Sequence, residues 1–305
     1  MGQDNLNIVT GATGYTGKYI THRLLAAGQR VKSLTGHLNR ENPFGAQVPV
    51  LSFNFDNPKA LAESLRGATT LYNTYWVRFS HGKVTFDDAV RNTRTLLTAA
   101  KTAGVQKVVH ISIANPDPNS TLPYYRGKGV LEQAVMDSGL SYAILRPTVI
   151  FGPEDILINN IAWLLRTFPM FAIVGSGEYK IQPIFVEDVA ELAVKAGERE
   201  GNVTLDAVGP ETFTFSDLVK LIAQHVSSRA RIVHLPPGLA LLLSRAVGYV
   251  IRDVVLTQEE VEGLLANLLV SSAIPTGWTR FSEWIGRNGT TLGTHYSSEL
   301  GRHYR

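Results

Sequence analysis

Tyr124 and Lys128 stand four residues apart in "YYRGK", a spacing that puts two side chains on one face of a helix, one turn apart. An ammonium beside a phenol favours the phenolate and draws a pKa of about 10 toward the working range of a general acid or base. Such a pair could exchange a proton with a reacting oxygen. A second group is built from glycines: Gly11, Gly14 and Gly17 in "TGATGYTG". Their spacing suits a tight turn, a close approach of phosphate to backbone, and a helix packed hard against a strand. The helix that would open there offers N–H donors and the positive end of its dipole to a pyrophosphate.

These groups need a scaffold that brings strand ends and helix starts together. Residues 5–10 read as a short buried strand, and Ile20, Leu24 and Leu25 form one helical stripe that stops at Gly28. Further strands are read at "RVKSLT", "PVLSFNF", "TTLYNTYW", "KVVHIS" and "YAILRPTVI". A helix starts at Asp56 or Asn57 before Pro58 and ends at Gly67. A longer one over 85–103 carries Phe86, Ala89, Val90, Thr93, Leu96, Leu97 and Ala100 at three- and four-residue steps. The Tyr–Lys pair lies on the helix between the last two strands.

Strand and helix thus alternate from residue 5 to residue 150, which predicts an α/β fold: a doubly wound parallel Rossmann sheet with a smaller mixed C-terminal cap. The expected division is 1–152 for the dinucleotide-binding domain and 153–305 for the cap and substrate region, with about 183–204 returning to the first. In that context the glycine turn reads as a dinucleotide cradle, and Thr13, Tyr15 and Thr16 join the three glycines as cofactor-binding residues. A cofactor with a free ribose usually meets a carboxylate at the end of the second strand. Here "TGHLNR" places Gly36 and His37 there, with Arg40 and Lys32 near enough to accommodate a 2′-phosphate, so NADP(H) is expected over NAD(H).

Taken together, "TGATGYTG", Asp56, Asn92, "YYRGK", "ILRPTVIFGP" and "QPIFVEDVAE" resemble the extended and atypical short-chain dehydrogenase/reductases. The branch is that of NmrA-like proteins and the NADPH-binding accessory subunit of respiratory complex I. The resemblance covers roughly residues 5–195 and thins in the C-terminal third. It implies that Asp56 contacts the adenine, that Asn73 and Thr74 lie beside the cofactor, and that Pro147, Thr148 and Ile150 line its nicotinamide end. It further implies that Tyr124 is the acid and base, and that Lys128 binds the nicotinamide ribose while lowering the tyrosine pKa. Active members carry Ser or Thr just after the fifth strand. "HISIANP" has Ile113 and Ala114 there, and Ser112 could substitute as a catalytic hydroxyl only if the strand end is shifted. Asp188 in "VEDVAE" reads as a helix cap.

The expected function is that of an NADP(H)-dependent oxidoreductase, or an epimerase-type enzyme, acting on a small carbonyl or alcohol in a cleft between sheet and cap. The alternative is an NADP(H)-binding sensor or assembly protein without turnover, motivated by the missing hydroxyl. The substrate's identity and the oligomeric state are not legible.

Composition bounds these readings. The chain has 305 residues, 44% of them hydrophobic, enough for a real core. A net charge of +3 spread along the chain argues against nucleic acid as partner. The absence of cysteine removes disulfides, thiolate metal sites and a cysteine nucleophile. The eight histidines show no metal-ligand spacing, so no metal is expected. With no apolar segment of signal-peptide length before the first strand, a cytoplasmic location is expected. The window "IVHLPPGLALLLSRAVGYVI" is interrupted by Pro236, Pro237 and Arg245 and reads as a buried helix rather than a membrane span. Attachment to a membrane surface or membrane complex is the less favoured setting. "TLGTHYSSELGRHYR" at the C-terminus reads as a segment packing on its own domain.

Overall fold

The computed structural model describes residues 5–82 and 84–303; the start of the N-terminal stretch and the last two residues of the C-terminal segment lie outside these. In chain order the first elements are β1 (Leu6–Thr10), α1 (Tyr15–Ala26), β2 (Arg30–Thr35), β3 (Val50–Ser52), α2 (Pro58–Leu65), β4 (Ala68–Asn73), α3 (Phe86–Thr102), β5 (Lys107–Ile111), α4 (Pro123–Met136) and β6 (Ser141–Pro147). There follow β7 (Val149–Phe151), α5 (Leu157–Thr167), β8 (Met170–Val174), β9 (Lys180–Ile181), β10 (Pro183–Phe185), α6 (Val186–Glu198), β11 (Val203–Ala207), β12 (Phe213–Thr214), α7 (Phe215–His225), β13 (Arg231–Leu235), α8 (Pro237–Ile251), α9 (Gln258–Leu265), α10 (Phe281–Asn288) and α11 (Glu299–His303).

The chain divides into two compact units. One runs to Pro147 and resumes over Val186–Ala207; the other comprises Thr148–Phe185 and the chain from Val208 onward. The boundary therefore falls five residues before Gly152. Its cause is the run "YAILRPTVI", which forms two strands: β6 pairs with β5 and β11, whereas β7 pairs in parallel with β10 of the second unit.

In the first unit seven parallel strands stand in the order β11-β6-β5-β4-β1-β2-β3. Every residue of β1 and β5 is buried, as a parallel sheet covered on both faces requires. Leu61, Leu96, Leu97 and Val135 from α2, α3 and α4 fill one face; Ile20, Leu24, Ala190 and Ala193 from α1 and α6 fill the other. Thr85 and Asp88 form a capping box at the start of α3, and Asn57, not Asp56, caps α2 ahead of Pro58. β3 ends at Ser52, earlier than "PVLSFNF" suggests, because Asn54 turns into the left-handed region at φ 44°. Chain order reverses between β1 and β4, the switch point at which sheets of this kind present their strand ends to ligands.

The second unit has three two-stranded pairings, β7–β10 and β8–β13 parallel and β9–β12 antiparallel, with α5, α7 and α10 around an aromatic core. Phe151 anchors that core, meeting Phe281 at 5.0 Å and Trp284 at 5.2 Å between ring centroids. The Asp253 carboxylate accepts hydrogen bonds from the Glu299 and Leu300 N–H groups at 2.7 and 3.1 Å, which fixes the start of α11 within this unit. One expectation is overturned: α8 is not buried. Only Ala240 and Gly248 of its residues are buried, because the helix packs by one narrow face.

Candidate functional site

The glycine turn follows β1 directly. Gly11 takes φ +66°, which glycine adopts without strain, and its carbonyl accepts from the Gly14 N–H at 2.8 Å. A Cβ at residue 17 would stand inside the radius of the Gly11 carbonyl oxygen, so only glycine lets α1 close on the turn. Gly14 is the N-cap of α1; no side chain caps the helix and no acidic residue lies in its first turn. The positive end of α1 is thus left without a carboxylate. Thr13, Tyr15 and Thr16 are half-buried around it.

The end of β4 is latched to this turn. The Thr74 N–H donates to Thr10 Oγ1 at 2.7 Å, and Thr74 Oγ1 donates to the Thr10 carbonyl at 2.5 Å. Asn73 Oδ1 accepts from the Tyr75 N–H at 3.2 Å and from Thr10 Oγ1 at 3.3 Å. The two strand ends at the switch point therefore form one hydrogen-bonded platform, an arrangement that fits a dinucleotide laid across it.

At the end of β2, His37 is half-buried and its N–H donates to Thr35 Oγ1, while the Arg40 N–H donates to the His37 carbonyl. Burial, and then the charge of Arg40, hold the imidazole below its ordinary pKa. Asp56 is exposed on the turn before α2. Beside these residues lies an aromatic group that the sequence did not reveal: the Phe53 and Phe55 rings stack at 4.7 Å, and Tyr75 meets them at 5.0 and 5.3 Å. Asn92 donates to the Tyr75 hydroxyl at 3.0 Å; burial raises that phenol's pKa and the Asn92 bond partly offsets the rise.

Tyr124 and Lys128 fall in the first two turns of α4. The half-buried Tyr124 ring meets Trp76 edge-on at 5.8 Å and Phe86 at 5.9 Å. A Cβ at residue 127 would come within 2.6 Å of the Trp76 ring, so Gly127 lets the indole close on the helix between the pair. Lys128 is 3% exposed. Its Nζ donates to the Ile111 carbonyl at 2.8 Å and lies 4.8 Å from the centroid of the Trp76 ring. Burial lowers its pKa to about 7, opposed by the charge of Glu132. Glu132 is itself held by Arg146 through bonds of 3.0 and 2.6 Å.

His110 was not singled out from the sequence, although a histidine among the valines and isoleucine of "KVVHI" is a polar residue on a buried strand. It is fully buried, and Asn73 Nδ2 lies 3.0 Å from its Nδ1. Because Asn73 Oδ1 already accepts two hydrogen bonds, its Nδ2 donates; Nδ1 therefore accepts and the proton sits on Nε2. Burial, with the charge of Lys128 adding to it, holds His110 neutral with a pKa well below the ordinary value. His110 Nε2, Ser112 Oγ and Trp76 Nε1 are buried with no partner among the described residues. Trp76 lies against Lys128, the charge of Lys128 acts on His110, and Ser112 follows Ile111, whose carbonyl Lys128 binds. Buried polar atoms are seldom left so, and three together fit a site that a polar ligand completes.

Ser112 does not reach the position of the missing hydroxyl. The ladder to β6 continues evenly past the strand end, with the Ser112 N–H on the Leu145 carbonyl and the Ala114 N–H on the Pro147 carbonyl, so the strand end is not shifted. Ser112 stays two residues inward of Ala114, 4% exposed, and Ile113 and Ala114 occupy the place as buried apolar residues. Pro147 ends β6 in the first unit, whereas Thr148 and Ile150 belong to the second, where the Thr148 hydroxyl donates to the Gln182 carbonyl. Asp188 is buried in the first turn of α6.

A model of the NAD dependent epimerase/dehydratase family matches residues 7–206. NADH dehydrogenase (ubiquinone) 1 alpha subcomplex subunit 9 of Arabidopsis thaliana is 23% identical over 283 residues, covering 86% of this chain and 70% of that protein. A ceramide reductase of Caulobacter vibrioides is 26% identical over 237 residues, covering 76% and 74%. Among solved structures, triphenylmethane reductase of Citrobacter sp. complexed with NADP(H) superposes with a TM-score of 0.72 at 19% identity over 93% of this chain and 99% of that one, a likeness of fold.

Proposed function

We propose that this chain, which belongs to the NAD dependent epimerase/dehydratase family and is an NAD(P)-binding protein, prefers NADP(H) and acts as an oxidoreductase on a small carbonyl or alcohol, with Tyr124 as acid and base. The observation that carries the reading is the placement of Tyr124 and Lys128 on one face of α4, with Lys128 buried against the end of β5.

Gly11, Gly14 and Gly17 with the open end of α1 would hold the pyrophosphate, and Thr13, Tyr15, Thr16, Asn73 and Thr74 would border it. Arg40, Lys32 and His37 would take the 2′-phosphate. Asp56 and the Phe53, Phe55 and Tyr75 rings would face the adenine. The bound nicotinamide supplies a hydride donor or acceptor. The protein's part is the proton: the Tyr124 hydroxyl gives it to the oxygen of a carbonyl that becomes an alcohol, and takes it back in reverse. Lys128 holds the ribose and, in its charged form, favours the phenolate. In place of the family's Ser or Thr, the Trp76 indole N–H, buried without a partner beside the Tyr124 ring, is assigned the hydrogen bond to the reacting oxygen.

The test is Tyr124→Phe with a carbonyl substrate found by screening NADPH consumption. Turnover is expected to fall by about 100-fold or more with NADPH affinity unchanged; full turnover by the variant would end the reading.

Ile113 and Ala114 at the hydroxyl position favour a second reading, an NADP(H)-binding protein that works through a partner; the Arabidopsis relative is by its name a subunit of NADH dehydrogenase. It predicts that NADPH raises the melting temperature and is never consumed. Steady oxidation by any physiological carbonyl would exclude it.

A further inference from the structure

Helix α8 packs on its own unit by Ala240 and Leu241, which meet Val174, Leu256 and Val261. Its other side is also apolar. Leu239, Leu242, Leu243, Tyr249 and Val250 are 45%, 61%, 45%, 88% and 77% exposed. At 3.6 residues per turn these five fall within an arc of about 120°, with exposed Ala246 in its middle. The outward face is therefore a continuous stripe rather than scattered apolar residues, and stripes of this kind mark a contact.

The helix itself carries charge of one sign. Residues 237–252 include no Asp or Glu, but they include Arg245 and Arg252. Arg245 is exposed at the edge of the stripe beside Tyr249, and Arg252, also exposed, follows as the C-cap of the helix. An apolar stripe edged by arginine and tyrosine complements a surface with an apolar interior and an anionic boundary.

We propose that α8 is an interfacial helix that docks the protein on an anionic lipid bilayer, lying in the plane of the surface with its outward leucines, Tyr249 and Val250 below the headgroups. Its 15 residues span about 22 Å, short of the roughly 30 Å of a bilayer core, and no helix among the described residues is long and apolar enough to cross a membrane. A second copy fits less well. The 15 residues of the helix are fewer than the roughly 20–30 residues that each partner contributes to a stable protein interface. Docking to lipid has no such threshold, since each immersed side chain adds its own contribution.

The experiment is flotation of the full chain with vesicles of phosphatidylcholine alone and of phosphatidylcholine mixed with phosphatidylglycerol, at low and high salt. Leu242→Glu and Arg245→Glu, both at exposed positions, serve as variants, and thermal melts confirm that they fold. The wild type is expected to float with the anionic vesicles, less with neutral ones and less at high salt. Leu242→Glu should weaken binding by about tenfold or more, and Arg245→Glu should weaken it on anionic vesicles only. A Tyr249→Trp protein should show a blue-shifted tryptophan contribution with anionic vesicles. A folded wild type that floats with neither vesicle, or a Leu242→Glu protein that floats as well as wild type, would overturn the proposal. So would a concentration-dependent dimer, dissolved by Leu242→Glu, in a protein that ignores lipid; the stripe would then belong to a second copy.

Discussion

The Lys128 ammonium nitrogen lies 4.8 Å from the centroid of the Trp76 ring while donating to the Ile111 carbonyl, in a position 3% exposed. The indole face and one carbonyl do not replace the water that a lysine loses on burial, and its pKa falls from 10.5 to about 7. Below about pH 7 the native protein must bury a full charge. Between there and 10.5 the unfolded chain holds the proton that the native chain has released, so this group makes stability rise with pH from about 7 to 10.5 and adds no pH dependence below that window. Lys128→Met lacks this dependence. Urea denaturation of both proteins across that window should find the variant's relative stability greatest at the acid end and declining toward alkaline pH. A difference that stays flat would mean that Lys128 titrates normally.

Gly17 makes a sharper prediction, because the space that it leaves is bounded by the Gly11 carbonyl, a backbone atom that cannot rotate away. Gly17→Ala should cost about 1–3 kcal/mol of stability, the usual range for overpacking, and abolish NADPH binding by lifting α1 off the turn. Calorimetric titration of the folded variant checks it. Binding at wild-type strength would show that the pyrophosphate lies elsewhere.

What the sequence revealed and what it hid follow from the reach of the interactions. The start of α3 at Thr85 and the glycine turn are local, and each was legible from a few adjacent residues. The parallel sheet followed from regular alternation, since parallel strands need helical crossovers. The Trp76–Lys128 contact spans 52 residues and the Asn73–His110 bond spans 37, and nothing in the spacing along the chain encodes either. β7 was misjudged because "YAILRPTVI" has the same composition on both sides of Pro147; its partner β10 decides which sheet it joins. The exposure of α8 was hidden for a related reason: with only Ser244 and Arg245 among its apolar residues, the helix has no polar face to say which side meets water.

The nucleotide preference can be tested at the end of β2. With Lys32, Arg40 is a cation that the proposed reading gives to a 2′-phosphate there, and its charge already acts on His37. Arg40→Ala should weaken NADPH by about tenfold or more, the loss expected for a charge-assisted hydrogen bond, and leave NADH within about twofold by the same arithmetic. Equal loss for both nucleotides would assign Arg40 a structural role, and no loss for either would move the phosphate site to other residues.

Trp76 is where the two functional readings part. Its ring packs against Tyr124 and Phe86 and over Lys128, whereas its indole N–H is buried with no partner among the described residues. Packing and donation separate in Trp76→Phe, which keeps an aromatic face and loses the donor. If the indole replaces the family's hydroxyl, turnover in this variant falls by about 100-fold, the loss typical of one donor to a developing oxyanion, while NADPH affinity holds. Adding Ala114→Ser should then recover part of the rate, since it places a hydroxyl on the same face of the strand as His110 and Ser112. Steady-state kinetics of the single and double variants decide the matter: a rate insensitive to both changes removes the indole from the chemistry, whereas a wild-type chain that binds NADPH and never oxidises it with any carbonyl is the nucleotide-binding protein without turnover that buried Ile113 and Ala114 fit.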